Sequence, residues 1–130
     1  MDFWYNAKAN PDIAQNAYIQ IYLRISTNLG NYYMYYDLSK QSITAGNGTQ
    51  YAYYDIRAPL NTWTHVVRNV TDDLIQAVSV VPDLSLSRVR YFYMVCTSPN
   101  NPIGDTVLLV DDVSFTNNTG FNYFSDNGDF

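Results

Sequence analysis

The chain has 130 residues, 47% of them hydrophobic, so it is long enough to bury a core and too apolar to be disordered. Its net charge is −5 with only seven basic residues, which excludes the basic patch of a nucleic-acid-binding protein. No apolar run approaches the about 20 residues that span a bilayer, so we expect a single domain without a membrane span.

The amino-acid usage is that of a β protein. Glutamate is absent, whereas tyrosine occurs 13 times. Good helix formers are therefore scarce, while tyrosine and the β-branched residues favour strands. Asparagine, aspartate and glycine supply the turns.

The first half of the chain predicts an entry strand at Phe3-Trp4-Tyr5 and then an antiparallel hairpin. Residues 18–26 alternate apolar and polar side chains, which is typical of a strand with one face in the core. The segment Leu29-Gly30-Asn31 turns the chain into a second strand over residues 32–38.

The second half predicts further short strands separated by turn residues. Thr71 is expected to cap a short helical turn. The predicted strands cover residues 50–57, 63–70, 78–81, 88–96 and 106–116. Seven or eight strands at this spacing predict an all-β fold, an antiparallel β-sandwich of jelly-roll type over residues 1–116. Residues 117–130 are predicted to be a linker with either the start of a following module or a strand-exchange tail.

Four motifs, in their order along the chain, resemble the galactose-binding-domain-like jelly rolls of carbohydrate-binding modules. They are Phe3-Trp4-Tyr5, Tyr32-Tyr33-Met34-Tyr35-Tyr36, Asn61-Thr62-Trp63-Thr64-His65-Val66 with Asp72-Asp73-Leu74, and Val110-Asp111-Asp112-Val113-Ser114-Phe115. The resemblance implies a non-catalytic glycan-binding domain with a largely structural Trp63. It also implies a structural calcium that joins the first strand to the last. The segment Asn127-Gly128-Asp129-Phe130, at the C-terminus of this chain, resembles the motif that the first strand of that family usually carries.

The closing strand carries two adjacent carboxylates inside an apolar run. Strand alternation predicts that one of Asp111 and Asp112 lies beside buried apolar neighbours, where an unpaired carboxylate is unfavourable. Calcium accepts irregular sets of oxygen ligands and would resolve this conflict. Hydrogen bonds from backbone amides or an arginine would resolve it too. Asp111 and Asp112 are therefore the candidate metal ligands.

Two tyrosine-rich strands supply the candidate ligand-binding residues. One face of the first carries Tyr33, Tyr35 and Asp37, and one face of the second carries Tyr51, Tyr53, Asp55 and Arg57. If these strands are neighbours, they form a tyrosine-rich surface with Arg24 and Gln20 nearby. Aromatic rings pack against sugars and the polar groups bond their hydroxyls. The alternative is that the tyrosines pair across strands and only stabilise the sheet.

No catalytic signature is present, so we expect a protein that is not an enzyme. A glycosidase needs two carboxyl groups about 5–10 Å apart, and nothing in the sequence places Asp37 and Asp55 at that separation. His65, the only histidine, is expected to be structural because the sequence shows no partner for it.

Two functional hypotheses remain open at this point. The few lysines and the glycosylation sequons at Asn47, Asn69 and Asn117 favour an extracellular setting, which suits both. The first is a glycan-binding module of a secreted or cell-surface protein. The second is a structural or adhesive module of a surface layer or filament. Such a module would assemble with its neighbours through sheet faces and a C-terminal strand within residues 121–130.

Overall fold

A computed structural model of the chain describes residues 1–8, 19–38, 50–96 and 107–116. Within these ranges the chain forms seven strands, one α-helix and one 3-10 helix. They are β1 (Asp2–Lys8), β2 (Ile19–Thr27), β3 (Gly30–Asp37), β4 (Tyr51–Asp55), β5 (Thr64–Val67), α1 (Val70–Ala77), the 3-10 helix (Leu84–Leu86), β6 (Arg88–Cys96) and β7 (Val107–Ser114). The prediction of an all-β sandwich is confirmed.

The strands form two sheets. One has three strands in the order β5-β1-β7, and the other has four in the order β4-β3-β2-β6. All pairings are antiparallel except β3 with β4, which is parallel. The first and last of the described strands are therefore neighbours in one sheet, and the predicted hairpin β2–β3 forms the middle of the other.

The core lies between the inner faces of the two sheets. Phe3 and Tyr5 reach it from β1, and Met34 and Tyr36 from β3, all at most 1% exposed. From β2 the core receives Ile19, Ile21, Leu23 and Ile25. The strict alternation of apolar and polar residues along β2 therefore identified its core face correctly, because successive side chains of a strand point to opposite sides.

Helix α1 begins two residues earlier than the sequence suggested. Its N-cap is Asn69 and not Thr71: the Asn69 Oδ1 accepts hydrogen bonds from the backbone amides of Thr71 (3.2 Å) and Asp72 (3.4 Å). The Asn69 Nδ2 donates to the Asp72 carboxylate over 2.7 Å. The amide that a glycan would modify at this sequon is thus engaged in capping the helix.

Three predicted strands differ in the structure. Residues 78–81 form bends and an extended stretch before Pro82, with Val80 63% exposed, and they join neither sheet. The strand predicted over 63–70 is limited to β5, and the strand predicted over 50–57 to β4. The predicted tail, residues 117–130, lies outside the described residues. Among the described helices, none has the length and apolar character needed to cross a membrane.

Candidate binding surface on the four-stranded sheet

The outer face of the four-stranded sheet carries three rows of side chains that cross all four strands. The strand register aligns one residue from each strand in every row. The tyrosine row is Tyr53, Tyr35, Tyr22 and Tyr93; the arginine row is Tyr51, Tyr33, Arg24 and Tyr91; the polar row is Asp55, Asp37, Gln20 and Val95. The two tyrosine-rich strands of the sequence, β4 and β3, are therefore neighbours.

The seven tyrosines of these rows form one continuous surface, here called the tyrosine face. Its most exposed members lie on the two edge strands: Tyr51 is 45% exposed, and Tyr91 and Tyr93 are each 47% exposed. The four others, Tyr22, Tyr33, Tyr35 and Tyr53, are half-buried. Alternation along each strand turns these rings outward, because the residues between them fill the core.

The rings of the tyrosine row pack side by side, with two stacked contacts and one tilted contact. Centroids of Tyr35 and Tyr53 are 4.7 Å apart with planes 8° from parallel. Tyr22 lies 5.0 Å from Tyr35 and 5.5 Å from Tyr93, with planes inclined by 35° and 25°. Side chains of a strand stand roughly perpendicular to the sheet. The row therefore directs ring edges and hydroxyl groups, rather than ring faces, to the outer surface.

Further contacts join members of the arginine row to one another and, through Tyr33, to the tyrosine row. Tyr33 stacks on Tyr51 at 5.2 Å and on Tyr22 at 5.9 Å. The Arg24 guanidinium carbon lies 5.3 Å from the centroid of the Tyr91 ring, a cation–π geometry. Within the described part of the chain, the buried Arg24 Nε has no hydrogen-bond partner.

The polar row is divided between buried and exposed groups. Asp37 and Gln20 are 4% and 3% exposed, and the Gln20 Nε2 donates to the Asp37 Oδ1 over 2.5 Å. Burial raises the pKa of Asp37. Asp55 is exposed and accepts hydrogen bonds from the Arg57 guanidinium, which lower the pKa of this carboxyl group. Of the predicted ligand-binding residues, Asp37 is thus the one that the open surface does not present.

The phenol groups of Tyr22, Tyr35 and Tyr53 stay protonated at neutral pH. Burial, with smaller contributions from the neighbouring phenols, raises the pKa of Tyr35 to about 12. Burial also raises the pKa of Tyr22 and of Tyr53. A protonated phenol both donates and accepts hydrogen bonds, so the row presents groups of both kinds.

Sequence reasoning missed three members of the surface: Tyr22, Tyr91 and Tyr93. Alternation placed Tyr22 on the same face as Arg24, and it placed Tyr91 and Tyr93 on one face of their strand. The missing information was that β2 lies between β3 and β6. This order brings the three tyrosines beside those of β3 and β4.

The candidate metal ligands lie on the other sheet, and both are exposed. Asp111 is aligned with Trp4 of β1, and the register shifts between Asp2 and Trp4. Asp112 adopts a left-handed backbone conformation with φ of 50°, and its amide donates to the Asp111 Oδ1 over 2.9 Å. This irregularity breaks the alternation, so the expectation that one carboxylate is buried is wrong. In the described ranges, no group of three or more His, Cys or Asp side chains is placed to hold a metal ion.

A smaller aromatic cluster lies on the outer face of the three-stranded sheet. The ring of His65 stacks on Trp4 with centroids 4.8 Å apart, and its Nε2 lies 2.6 Å from the Asp2 Oδ1. Trp4 is 38% exposed and Trp63 is 46% exposed. His65 thus has the partners that the sequence did not show, and Trp63 lies at the surface rather than in the core.

Comparisons of the chain with protein-family models, with curated proteins and with solved structures found no match.

Proposed function

We propose that this domain is a non-catalytic carbohydrate-binding module of a secreted or cell-surface protein and that it binds glycan on the tyrosine face. The observation that carries the proposal is the continuity of that face: seven outward-facing tyrosines from four strands contact one another in register. Contiguous exposed aromatic surfaces of this kind mark interaction sites.

Tyrosine suits glycan because both partners are amphipathic. A sugar offers apolar C–H groups and many hydroxyls, and a tyrosine offers an apolar ring with a hydroxyl at its tip. Arg24 beside Tyr91 and the Asp55–Arg57 pair add charged hydrogen-bonding groups at the margins of the face. The resemblance of the four sequence motifs to carbohydrate-binding modules supports the same proposal.

The proposal of a non-catalytic role is supported by the state of the two nearest carboxyl groups. The register brings Asp37 and Asp55 opposite each other, a proximity that the sequence did not reveal. Asp37, however, is buried against Gln20, and Asp55 is bonded to Arg57. A glycosidase acid must reach the glycosidic oxygen, which a buried carboxyl group in this position does not do.

A glycan array followed by titration calorimetry tests the proposal. We expect Tyr51→Ala and Tyr35→Ala to weaken binding of any glycan that the array identifies. Trp63→Ala is the matched control, because Trp63 is as exposed as Tyr51 (46% against 45%) but lies beside the other sheet. Absence of binding to every glycan, or equal loss in the control, would overturn the proposal.

Assembly with a second copy is the other candidate function, and the order of the rows favours it. The tyrosine row lies between the arginine row and the polar row. If a two-fold axis ran along the tyrosine row, the tyrosine rows of the two copies would face each other. Arg24 of one copy would then lie opposite Gln20 of the other copy, beside Asp37. Light scattering over a concentration series tests this candidate. A monomer at every concentration would exclude it.

A further inference from the structure

We infer that the tyrosine row binds an extended, ribbon-like chain of neutral sugars that lies across the strands, and that it does so through the phenol hydroxyls rather than by stacking sugars on ring faces. This inference rests on the proposed glycan-binding function. It specifies the shape of the glycan, its direction on the sheet and the groups that contact it.

The ring geometry argues against face stacking at the two central positions. Tyr35 lies between Tyr53 and Tyr22, with centroids 4.7 Å and 5.0 Å away. Tyr22 lies between Tyr35 and Tyr93, at 5.0 Å and 5.5 Å. Neighbouring rings thus flank each central ring on both sides and leave no open ring face for a sugar. A sugar that approaches the surface meets ring edges and hydroxyls.

The spacing of the row matches an extended glycan. Neighbouring strands lie about 4.8 Å apart, so each strand contributes one phenol hydroxyl at about that interval. A sugar ring in a straight β-(1→4)-linked chain advances by a similar distance. Each of four successive sugars therefore meets one hydroxyl of Tyr53, Tyr35, Tyr22 or Tyr93. A curved, α-linked chain moves away from a straight row after one or two sugars.

The direction follows from the composition of the rows. Across the strands, the tyrosine row carries a phenol on every strand. Along β3, by contrast, the phenols of Tyr33 and Tyr35 are followed by the buried Asp37, which is bonded to Gln20. A chain that runs along a strand would therefore meet two phenols, whereas a chain that crosses the sheet meets four.

Neutral sugars fit the charges of the surface. The Asp55 carboxylate and the Arg57 guanidinium pair with each other, and Arg24 lies over Tyr91. The chain as a whole carries a net charge of −5, which disfavours an anionic polysaccharide.

Removal of single hydroxyls tests the inference without removing the rings. Titrations use β-(1→4)-linked gluco-oligosaccharides of two to six sugars, with α-(1→4)-linked oligosaccharides of equal length as the curved probe. We expect the affinity for the β-linked series to rise up to four sugars and then to level off. Tyr35→Phe should weaken binding about fivefold, the effect of losing one hydrogen bond.

Tyr93 and Tyr91 provide a matched pair on the same edge strand, each 47% exposed. Tyr93→Phe, in the tyrosine row, should weaken binding as Tyr35→Phe does, and Tyr91→Phe, in the arginine row, should weaken it less. Equal effects of the two changes would overturn the direction. Wild-type binding by Tyr35→Phe, together with loss in Tyr35→Ala, would instead show stacking on the ring.

The outcomes separate this inference from the proposed function. Binding to a glycan on the array without preference for extended β-linked chains would overturn the inference and leave the proposed function standing. Binding to no glycan at all would overturn both. Thermal melts of each Tyr→Phe variant establish that it is folded before its affinity is compared.

Discussion

The hydroxyl of Tyr36 donates a hydrogen bond of 2.9 Å to the buried carboxylate of Asp73 and thereby joins β3 to α1. Arg68 pairs with the same carboxylate, and its guanidinium lies over the rings of Tyr36 and Tyr54. The Tyr54 hydroxyl donates to the Asp73 carbonyl over 2.6 Å. Because Tyr35, the residue before Tyr36, lies on the opposite face of the same strand, this inner network holds in place the strand that carries the centre of the tyrosine row.

We expect Asp73→Ala to lower the free energy of unfolding by about 2–3 kcal/mol. The change leaves the partly buried Arg68 guanidinium and the Tyr36 hydroxyl without their shared acceptor. Urea denaturation followed by circular dichroism measures the loss. Asp72→Ala is the control in the same first turn of α1, where an exposed acid contributes less than about 1 kcal/mol. Equal losses in the two variants would contradict the role of the network.

The domain should lose stability in alkaline solution. Burial raises the pKa of Tyr36 strongly and that of Tyr35 to about 12. In the unfolded chain, the pKa of a tyrosine side chain is about 10. The folded state thus keeps protons that the unfolded state has released. The contribution of these groups is complete below pH about 10 and is lost as the pH rises through the folded-state pKa.

Absorbance of tyrosinate at alkaline pH, recorded with circular dichroism, measures this effect. We expect the buried phenols to ionise together with unfolding. Titration of all tyrosines near pH 10 in a protein that remains folded would contradict the expectation.

Asp37→Asn should raise the melting temperature at pH 7. The pKa of Asp37 is raised, chiefly by burial, so this group's contribution to stability is present at acidic pH and is lost as the pH rises through its folded-state pKa. An asparagine keeps the acceptor for Gln20 without a charge. We therefore expect the gain at pH 7 to disappear at acidic pH, where Asp37 itself is protonated.

Asp55→Asn is the control of opposite sign, because hydrogen bonds from Arg57 lower the pKa of Asp55. Its contribution is present at neutral pH and is lost as the pH falls through its folded-state pKa. Thermal melts at both pH values compare the variants. A gain at pH 7 in Asp55→Asn, or none in Asp37→Asn, would show that this account of the polar row is wrong.

Calcium should leave the melting temperature unchanged. Asp111 and Asp112 are exposed, and one of them accepts a backbone hydrogen bond, so neither needs a cation to offset burial. A melt with calcium and a melt with chelator make the comparison. A bound ion at a hundredfold excess over Kd would add roughly 2.7 kcal/mol, and such a rise, lost in Asp111→Asn, would identify these residues as metal ligands.

The alternation of apolar and polar residues was sufficient to predict several features of individual strands. Alternation over β2 identified the core face that contains Ile21 and Leu23, and the shared face of Tyr33 and Tyr35 was predicted correctly. The parallel pairing of β3 with β4 was not predicted, because the alternation along a strand is the same whether its neighbour runs parallel or antiparallel. The shift of the N-cap to Asn69 was missed because two positions only two residues apart, Asn69 and Thr71, both carry capping residues.

The sequence by itself determined that this chain is an all-β sandwich and which faces of its strands carry tyrosine, because the two-residue period of a strand is a property of the backbone. Only the tertiary structure decided that β2 lies between β3 and β6, which unites Tyr22, Tyr35, Tyr53 and Tyr93 in one row. It also decided that Asp37 is buried while Asp111 and Asp112 are exposed. Strand order, register shifts and burial depend on contacts between distant segments, and no local period of the sequence encodes them.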